Sequence, residues 1–218
     1  VEAIVISFLH SYRNPVHEQR ARAIVAEECP DIWVTISSDI CQEYREYPRT
    51  STAAVNAVLQ PRVAPYLRAL EQELASRGIS APLHLMTSSG GIVAVEVAKE
   101  KPVMLIESGP AGGVIGANFV AGKAGYKDIL ALDIGGTTAK AAVVMDGKPT
   151  VSDQFEVGSQ AVAAATAHRG QGYPVRTPVI PLVEIGTGGG SLAYIDKGGA
   201  LTVGPESVGA TPGPAAYG

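Results

Sequence analysis

Long apolar runs are missing from this 218-residue chain. No stretch approaches the ~18 consecutive apolar residues that a membrane-spanning helix needs, so neither a span nor a membrane partner is expected. Cysteine is scarce, with only Cys29 and Cys41 present. Two thiols cannot build a disulfide framework. They fit a reducing compartment and ordinary buried apolar positions, so a cytoplasmic location is expected. No block of basic residues occurs and the formal net charge is −4, which argues against nucleic acid as a partner. Targeting segments and internal repeats are also lacking. The chain has no initiator Met. It opens at Val1 inside an apolar run and stops at Gly218 inside a Pro/Gly-rich stretch, and so reads as an internal piece of a longer protein.

Two common phosphate-binding signatures are absent as well. A P-loop requires Gly-Lys-Ser/Thr before a helix, but Gly147-Lys148 is followed by Pro149. A dinucleotide fingerprint places its glycines between a strand and a helix. Glycine itself is plentiful, 25 residues gathered in turn-like clusters. The most informative cluster sits in Ile129-Leu130-Ala131-Leu132-Asp133-Ile134-Gly135-Gly136-Thr137-Thr138-Ala139-Lys140-Ala141-Ala142-Val143-Val144. An apolar run ends on a carboxylate, two glycines and two threonines follow, and a second apolar run begins. The lengths predict strand, turn, strand. Successive backbone N–H groups, two hydroxyls and a nearby Asp form a cradle suited to phosphate and Mg²⁺. Lys140 either meets a phosphate or faces solvent. A second cluster, Gly186-Thr187-Gly188-Gly189-Gly190-Ser191, also leads into a predicted strand.

The remaining chain reads as α/β. Ala3–Leu9 is a buried strand. Asn14-Pro15 starts a helix that runs to about Glu28, and Ile32–Ile36 is a second strand, completing a βαβ unit. Tyr47 to Thr52 opens a long helix capped by Thr50 or Ser51. Its core stripe is Val55, Val58, Leu59, Val63, Leu67, Leu70 and Leu74; Pro61 and Pro65 disturb its early turns, and Gly78 ends it. Arg49 is either a charged cap or a ligand contact. Short strands are expected at Leu83–Met86 and Met104–Ile106, and a small-residue helix begins near Ser108. Asp146-Gly147 makes a hairpin turn, with Thr150–Val157 completing a meander. Residues 158–173 read as a loop, Thr177–Ile185 as an edge strand, Leu192–Asp196 and Leu201–Val203 as a hairpin, and Gly204–Gly218 as irregular.

The order of small-residue helix followed by an Asp-x-Gly-Gly-Thr hairpin resembles the actin-like ATPase superfamily. The resemblance narrows to the hydantoinase A/oxoprolinase family. It is carried by His10-Ser11-Tyr12-Arg13-Asn14-Pro15-Val16-His17-Glu18, by Arg49-Thr50-Ser51-Thr52 with Asn56, and by Ser88 with Gly90-Gly91. Ser108-Gly109-Pro110-Ala111-Gly112-Gly113, Asp133-Ile134-Gly135-Gly136-Thr137, Gly188-Gly189-Gly190-Ser191, Val203-Gly204-Pro205 and Pro212-Gly213-Pro214-Ala215 complete it. The resemblance implies an actin-like (ribonuclease H-like) α/β fold with a mixed sheet. Residues 1–48 would end an N-terminal lobe, and 49–218 would belong to the central hydantoinase A/oxoprolinase domain. It implies ATP and Mg²⁺ as cofactors and ring opening of a cyclic amide through phosphorylation of its oxygen. It also implies an oligomeric assembly with a hydantoinase B-type subunit or domain.

By the same resemblance Asp133 is catalytic and holds Mg²⁺, while Gly135, Gly136, Thr137, Thr138, Lys140, Gly109, Gly112 and Gly113 bind the nucleotide. Arg49, Thr50, Ser88, Gly90, Gly91, Glu184, Gly188, Gly189, Gly190 and Ser191 line a substrate pocket. The chain departs from the family pattern at Lys140, where many relatives have Asp, at Val183, where several have His, at Ser89 for Asn and at Ala216 for Cys. The family's earlier Asp-x-Gly-Gly-Thr loop would lie upstream of Val1, so these residues alone are expected to hydrolyse ATP poorly. Rival readings are an ATP-driven conformational switch, a subunit of a ketone carboxylase-like complex and a noncatalytic assembly domain.

Overall fold

In a computed structural model, residues 1–158, 172–211 and 213–214 are described. In chain order the elements are β1 (Ala3–Ile6), α1 (Val16–Glu28), β2 (Trp33–Ile36), α2 (Ser37–Ile40), α3 (Glu46–Ser76), β3 (His84–Met86), β4 (Ile92–Ala94) and α4 (Val95–Glu100). A 3-10 turn at Pro102–Leu105 precedes α5 (Ser108–Lys123), β5 (Ile129–Ile134), β6 (Ala139–Met145) and β7 (Lys148–Pro149). Last come β8 (Phe155–Val157), β9 (Tyr173–Val175), β10 (Val183–Ile185), β11 (Ser191–Ile195) and β12 (Leu201–Ser207). These elements form two compact units. One holds Val1–Ala111 with residues 151–158 and 172–179; the other holds Gly112–Thr150 and residues 180–211 with 213–214.

The first unit is organised on α3. β1 and β2 pair in parallel, Ala3 opposite Trp33 through Ile6 opposite Ile36, with α1 as their crossover. This is the expected βαβ unit. Asn14 contributes by accepting the Val16 N–H on its side-chain oxygen at 3.2 Å, although Pro15 occupies the cap position itself. The 31 residues of α3 form one helix of about 46 Å at ~1.5 Å rise per residue. It starts at Glu46, so Thr50 and Ser51 lie inside it rather than capping it. Pro61 and Pro65 remove two backbone donors without ending it. Burial of Asn56, Ala57, Ala64 and Leu67 on either side holds the register through them.

The buried stripe of α3 follows the expected valine–leucine one only in part: Leu67 is buried with Val63 packed beside it, but polar and small residues supply the rest. Arg49, Thr52, Ala53, Asn56, Ala64 and Leu67 face inward, and Val58 is exposed. The polar members of that stripe are tolerated because each is hydrogen-bonded within the unit. Asn56 donates to Glu100 O at 3.0 Å and accepts the Val103 N–H at 3.2 Å. The Thr52 hydroxyl donates to Pro48 O at 2.7 Å and accepts the Arg176 N–H at 2.9 Å. At the other end, Leu67 packs with Val95 and Ala98, backed by Val63, Leu83 and Leu105.

Other expectations shift locally. Met104 and Leu105 belong to the 3-10 turn, not a strand, because Pro102 and the Lys101 carbonyl, which accepts the Met104 N–H, tighten the chain there. Ser88 then holds this turn: its N–H and hydroxyl both donate to Met104 O, and the hydroxyl also reaches Ile106 O. The expected meander stops early. β7 pairs with β6, but β8 pairs with β9 in the first unit. Most of the loop expected at 158–173 lies outside the described residues.

The second unit contains an antiparallel sheet of order β10-β6-β5, with β7 also on β6. One face carries Asp133, Ala131, Ala142 and Val144, the last three buried. α5 lies on this side: Asn118 donates to Gly147 O at 2.9 Å, and Gly113 lies near the Asp133 carboxylate. β10 is an edge strand as expected, though shortened to three residues. β11 and β12 form the expected hairpin, but β12 extends to Ser207, so regular structure continues past Gly204.

Candidate functional site

Asp133 sits on β5, directly opposite Lys140 on β6, and Ile134 pairs with Ala139. Residues 135–138 close this hairpin. The Gly135 N–H donates to Thr138 O at 2.9 Å. Among the described residues, the N–H groups of Gly136 and Thr137 and the hydroxyls of Thr137 and Thr138 have no hydrogen-bond partner. A Cβ on Gly136 would meet nothing within 4 Å. The turn therefore presents open donors to open space, as a phosphate cradle requires.

The second glycine loop braces the first. The Gly189 N–H donates to Gly135 O at 2.9 Å, and the Gly190 N–H donates to Gly136 O at 2.6 Å. A Cβ on Gly188 would lie 2.6 Å from Gly135 O and 2.8 Å from the carbonyl carbons of Gly136 and Thr137. Only glycine permits this backbone-on-backbone approach. The brace is itself tied down. The Gly188 N–H donates to Ser191 Oγ at 2.8 Å, and Gly190 O accepts the Val208 N–H at 2.9 Å and the Ser207 hydroxyl at 3.2 Å. With the carbonyls of Gly135 and Gly136 engaged by this loop, donors dominate the free polar groups of the hairpin.

The structure thus brings Asp133, Gly135 to Thr138, Gly113 and Gly188 to Ser191 together in the second unit. Gly113 places α5 beside Asp133: a Cβ there would lie 3.7 Å from the carboxylate Oδ2, an ordinary contact. Gly112 lies beside it on α5. Lys140 and Glu184 are cross-strand partners whose charged atoms lie 3.7 Å apart, with Lys140 mostly covered, so the lysine is not a simple solvent-facing side chain. Among the described residues no group of three His, Cys, Asp or Glu is arranged to hold a metal. Asp133 alone can contribute a carboxylate to a cation that brings other ligands with it.

Gly109, Arg49, Thr50, Ser88, Gly90 and Gly91 belong to the first unit. Arg49 is wholly buried there. It donates to Phe8 O at 2.7 Å, Glu43 O at 3.1 Å and Ser37 Oγ at 3.1 Å. Thr50 pairs with Ser7 through their hydroxyls at 2.6 Å. Gly90 turns the β3–β4 hairpin at positive φ, and Gly91 O accepts the Thr87 N–H at 2.8 Å.

Around Arg49 lies a polar node that sequence reading missed. Glu18, fully buried, accepts the Phe8 N–H at 2.8 Å, the Ser37 hydroxyl at 2.7 Å and the Ser38 N–H at 2.8 Å. Burial pushes the Glu18 carboxyl up. The Ser37 hydroxyl, the two N–H groups and the Ser11 hydroxyl outweigh it and hold the acid below its ordinary value. No periodicity marks Glu18, which falls in the first turn of an otherwise polar helix. Its signal is only the company of Ser37-Ser38 after β2. Cys41 is buried beside this node, and burial with the nearby Glu43 raises its thiol, consistent with an inert side chain.

Comparison with known proteins follows these features closely. The profile of the hydantoinase/oxoprolinase family matches residues 49–218, which include both glycine loops. The chain belongs to the hydantoinase/oxoprolinase family. A Methanocaldococcus jannaschii protein, described as uncharacterized, is 45 % identical over 217 residues, covering 100 % of this chain and 32 % of that protein. Caprolactamase subunit alpha of Pseudomonas jessenii is 35 % identical, covering 100 % of the chain and 30 % of the subunit. The crystal structure of that ATP-dependent caprolactamase superposes with a TM-score of 0.76. A nucleotide-free acetone carboxylase structure superposes with a TM-score of 0.77 at 31 % identity, over 96 % of this chain and 28 % of its own. The chain thus spans about 30 % of the length of these relatives. Its fold is the mixed α/β fold of the actin-like ATPase type. No helix among the described residues is long and apolar enough to cross a membrane.

Proposed function

We propose that this chain is the phosphate-handling part of an ATP-dependent enzyme that opens a cyclic amide. The observation that carries the reading is the hairpin at 135–138, whose free N–H groups and hydroxyls are held open by the glycine loop at 188–190. The residues fit a nucleotide phosphate: donors without partners, open space over Gly136, and one carboxylate nearby. Gly136, Thr137 and Thr138 hold phosphate oxygens. Asp133 holds Mg²⁺ or one of its waters, and the cation neutralises phosphate charge when bound. Lys140 adds positive charge on the same strand face, held by Glu184.

A lactam carbonyl is a poor electrophile because its nitrogen donates into it. Transfer of the terminal phosphoryl group of ATP to the carbonyl oxygen yields ADP and an activated carbon. Water adds to that carbon, and the ring C–N bond breaks with the nitrogen leaving as the protonated amine to give an acyl phosphate. A second water releases phosphate and the open-chain acid. Phosphoryl transfer depends on positioning and charge neutralisation, and these are what the braced hairpin provides. Catalysis is shared with further chain and with a hydantoinase B-type partner in an oligomeric assembly.

A second reading, a subunit of a ketone carboxylase, is supported by the acetone carboxylase likeness, which equals the caprolactamase likeness in TM-score to within 0.01. Substrate-stimulated ATPase separates the two. A longer natural protein containing these residues, with its partner, is assayed on caprolactam, 5-oxoproline, hydantoin and acetone. Stimulation by a cyclic amide that is lost in Asp133→Ala is expected. Stimulation by acetone alone overturns the amidase reading, and ATPase unaffected by Asp133→Ala overturns the role of the hairpin.

A further inference from the structure

One rung of the sheet in the second unit is charged on every strand. The register sets Asp133 on β5 opposite Lys140 on β6, and Lys140 opposite Glu184 on β10. Residues directly opposite one another in an antiparallel sheet project from the same face. The rung therefore reads carboxylate, ammonium, carboxylate across three strands. It lies at the hairpin end of a face whose further residues, Ala131, Ala142 and Val144, are apolar and buried.

Lys140 stands between two acids and leans toward one. Its ammonium lies 3.7 Å from Glu184 Oε1. The Asp133 carboxylate, among the described residues, has no ion pair and no hydrogen bond. Register alone does not explain this preference. Directly opposite Cβ atoms lie about 4.5–5.5 Å apart, so Asp133 is within reach of the lysine too. Opposite charges facing each other across a ladder attract, and the open state of Asp133 needs a cause. Glu184 supplies one. It draws the lysine toward β10, on the side of β6 away from β5.

We infer that Glu184 is a positioning residue for the cation site: by pairing with Lys140 it keeps the lysine off Asp133 and leaves that carboxylate open to Mg²⁺. The inference rests on the phosphate reading of the hairpin. The site makes two demands on one side chain. Lys140 has to stay on this rung for its charge to favour phosphate oxygens at 135–138. It must not neutralise the acid that serves the cation. A second acid on the outer strand meets both demands. Glu184 is half exposed and its pair is loose, so it steers the lysine without contributing much to stability.

The test is a double-mutant cycle in a longer natural protein containing these residues, with its partner. Glu184→Gln, Lys140→Met and the double variant are compared with wild type. Binding of Mn²⁺, a paramagnetic stand-in for Mg²⁺, is counted by electron paramagnetic resonance in the presence of a non-hydrolysable ATP analogue. Crystal structures of wild type and Glu184→Gln without metal locate the lysine. Glu184→Gln is expected to weaken Mn²⁺ binding about two- to fivefold, the range of one exposed ion pair, and to bring the Lys140 ammonium onto the Asp133 carboxylate. In the Lys140→Met background the same substitution should leave Mn²⁺ binding unchanged. Equal weakening in both backgrounds would show that Glu184 acts by its charge alone and would overturn the inference. So would Mn²⁺ binding unaltered by Glu184→Gln, or a lysine that stays turned toward β10 in that variant. Mn²⁺ binding undiminished by Asp133→Ala would instead overturn the phosphate reading, and this inference with it.

Discussion

Replacing Gly188 by Ala should separate the two glycine loops. The new Cβ would stand 2.6 Å from Gly135 O and 2.8 Å from the carbonyl carbons of Gly136 and Thr137. These are backbone atoms, so no side chain can swing aside. The loops must part by roughly 1 Å to reach an ordinary contact of about 3.5 Å. That movement stretches the Gly189 and Gly190 N–H bonds to Gly135 O and Gly136 O, now 2.9 and 2.6 Å, beyond useful length. Two lost hydrogen bonds cost about 1 kcal/mol each, and residual crowding adds about 1 kcal/mol or more. The second unit is therefore expected to lose about 2–4 kcal/mol. Gly189→Ala is the control, because its Cβ would lie 3.8 Å from Gly135 O, an ordinary contact. Calorimetric unfolding of both variants, with hydrogen exchange read at the Gly189 and Gly190 amides, measures the difference. Gly188→Ala should expose those amides and Gly189→Ala should not. Equal stability of the two variants within about 0.5 kcal/mol would refute the brace.

Three further outcomes are expected. Glu18→Ala leaves the Phe8 and Ser38 N–H groups and the Ser37 hydroxyl without their acceptor. At about 1–3 kcal/mol for each stranded buried donor, it should destabilise the first unit by about 3–5 kcal/mol in urea unfolding at pH 7. Because the folded Glu18 acid is held below its ordinary value, its contribution is complete above the unfolded carboxyl pKa and is lost as pH falls through the folded one; in Glu18→Gln that part of the acid-side loss should vanish. Asn56→Leu strands the Val103 N–H and the Glu100 carbonyl and should cost about 2–3 kcal/mol in the same assay. Glu184→Gln removes an ion pair of 3.7 Å whose carboxylate is half exposed, so its effect on stability should stay under about 0.5 kcal/mol.

Local pattern carried the sequence reading where neighbours in the chain are also neighbours in space. The βαβ unit at Ala3–Ile36, the β5–β6 hairpin, the Asp146-Gly147 turn and the β11–β12 hairpin all follow from short-range signals. α3 shows the limit. Hydropathy selects Val55, Val58 and Leu59, whereas the buried stripe is built from Arg49, Thr52 and Asn56. Besides nearby bonds, those residues rely on partners 41 to 124 positions away, such as Phe8, Val103 and Arg176. β8 leaves the expected meander for the same reason, since its partner β9 lies beyond residues 159–171.

The site divides in the same manner. Asp133 to Thr138 declares itself by composition and by its place between two apolar runs. The support by Gly188 to Gly190 is a contact across about 50 residues, visible in sequence only as a second glycine cluster, and nothing in that cluster says whether it touches a ligand or another loop. The structure shows these glycines against the backbone of the first loop.

Titration of the isotopically labelled chain with ATP and Mg²⁺, followed at the backbone amides by NMR, addresses the phosphate cradle most directly. Gly136 and Thr137 amides, free of intramolecular partners among the described residues, should shift most and gain protection from exchange. Asp133→Ala should weaken the response, and Gly188→Ala should weaken it at least tenfold in apparent affinity. Nucleotide binding reported elsewhere in the chain, with the Gly136 and Thr137 amides unmoved, would contradict a phosphate role for this hairpin.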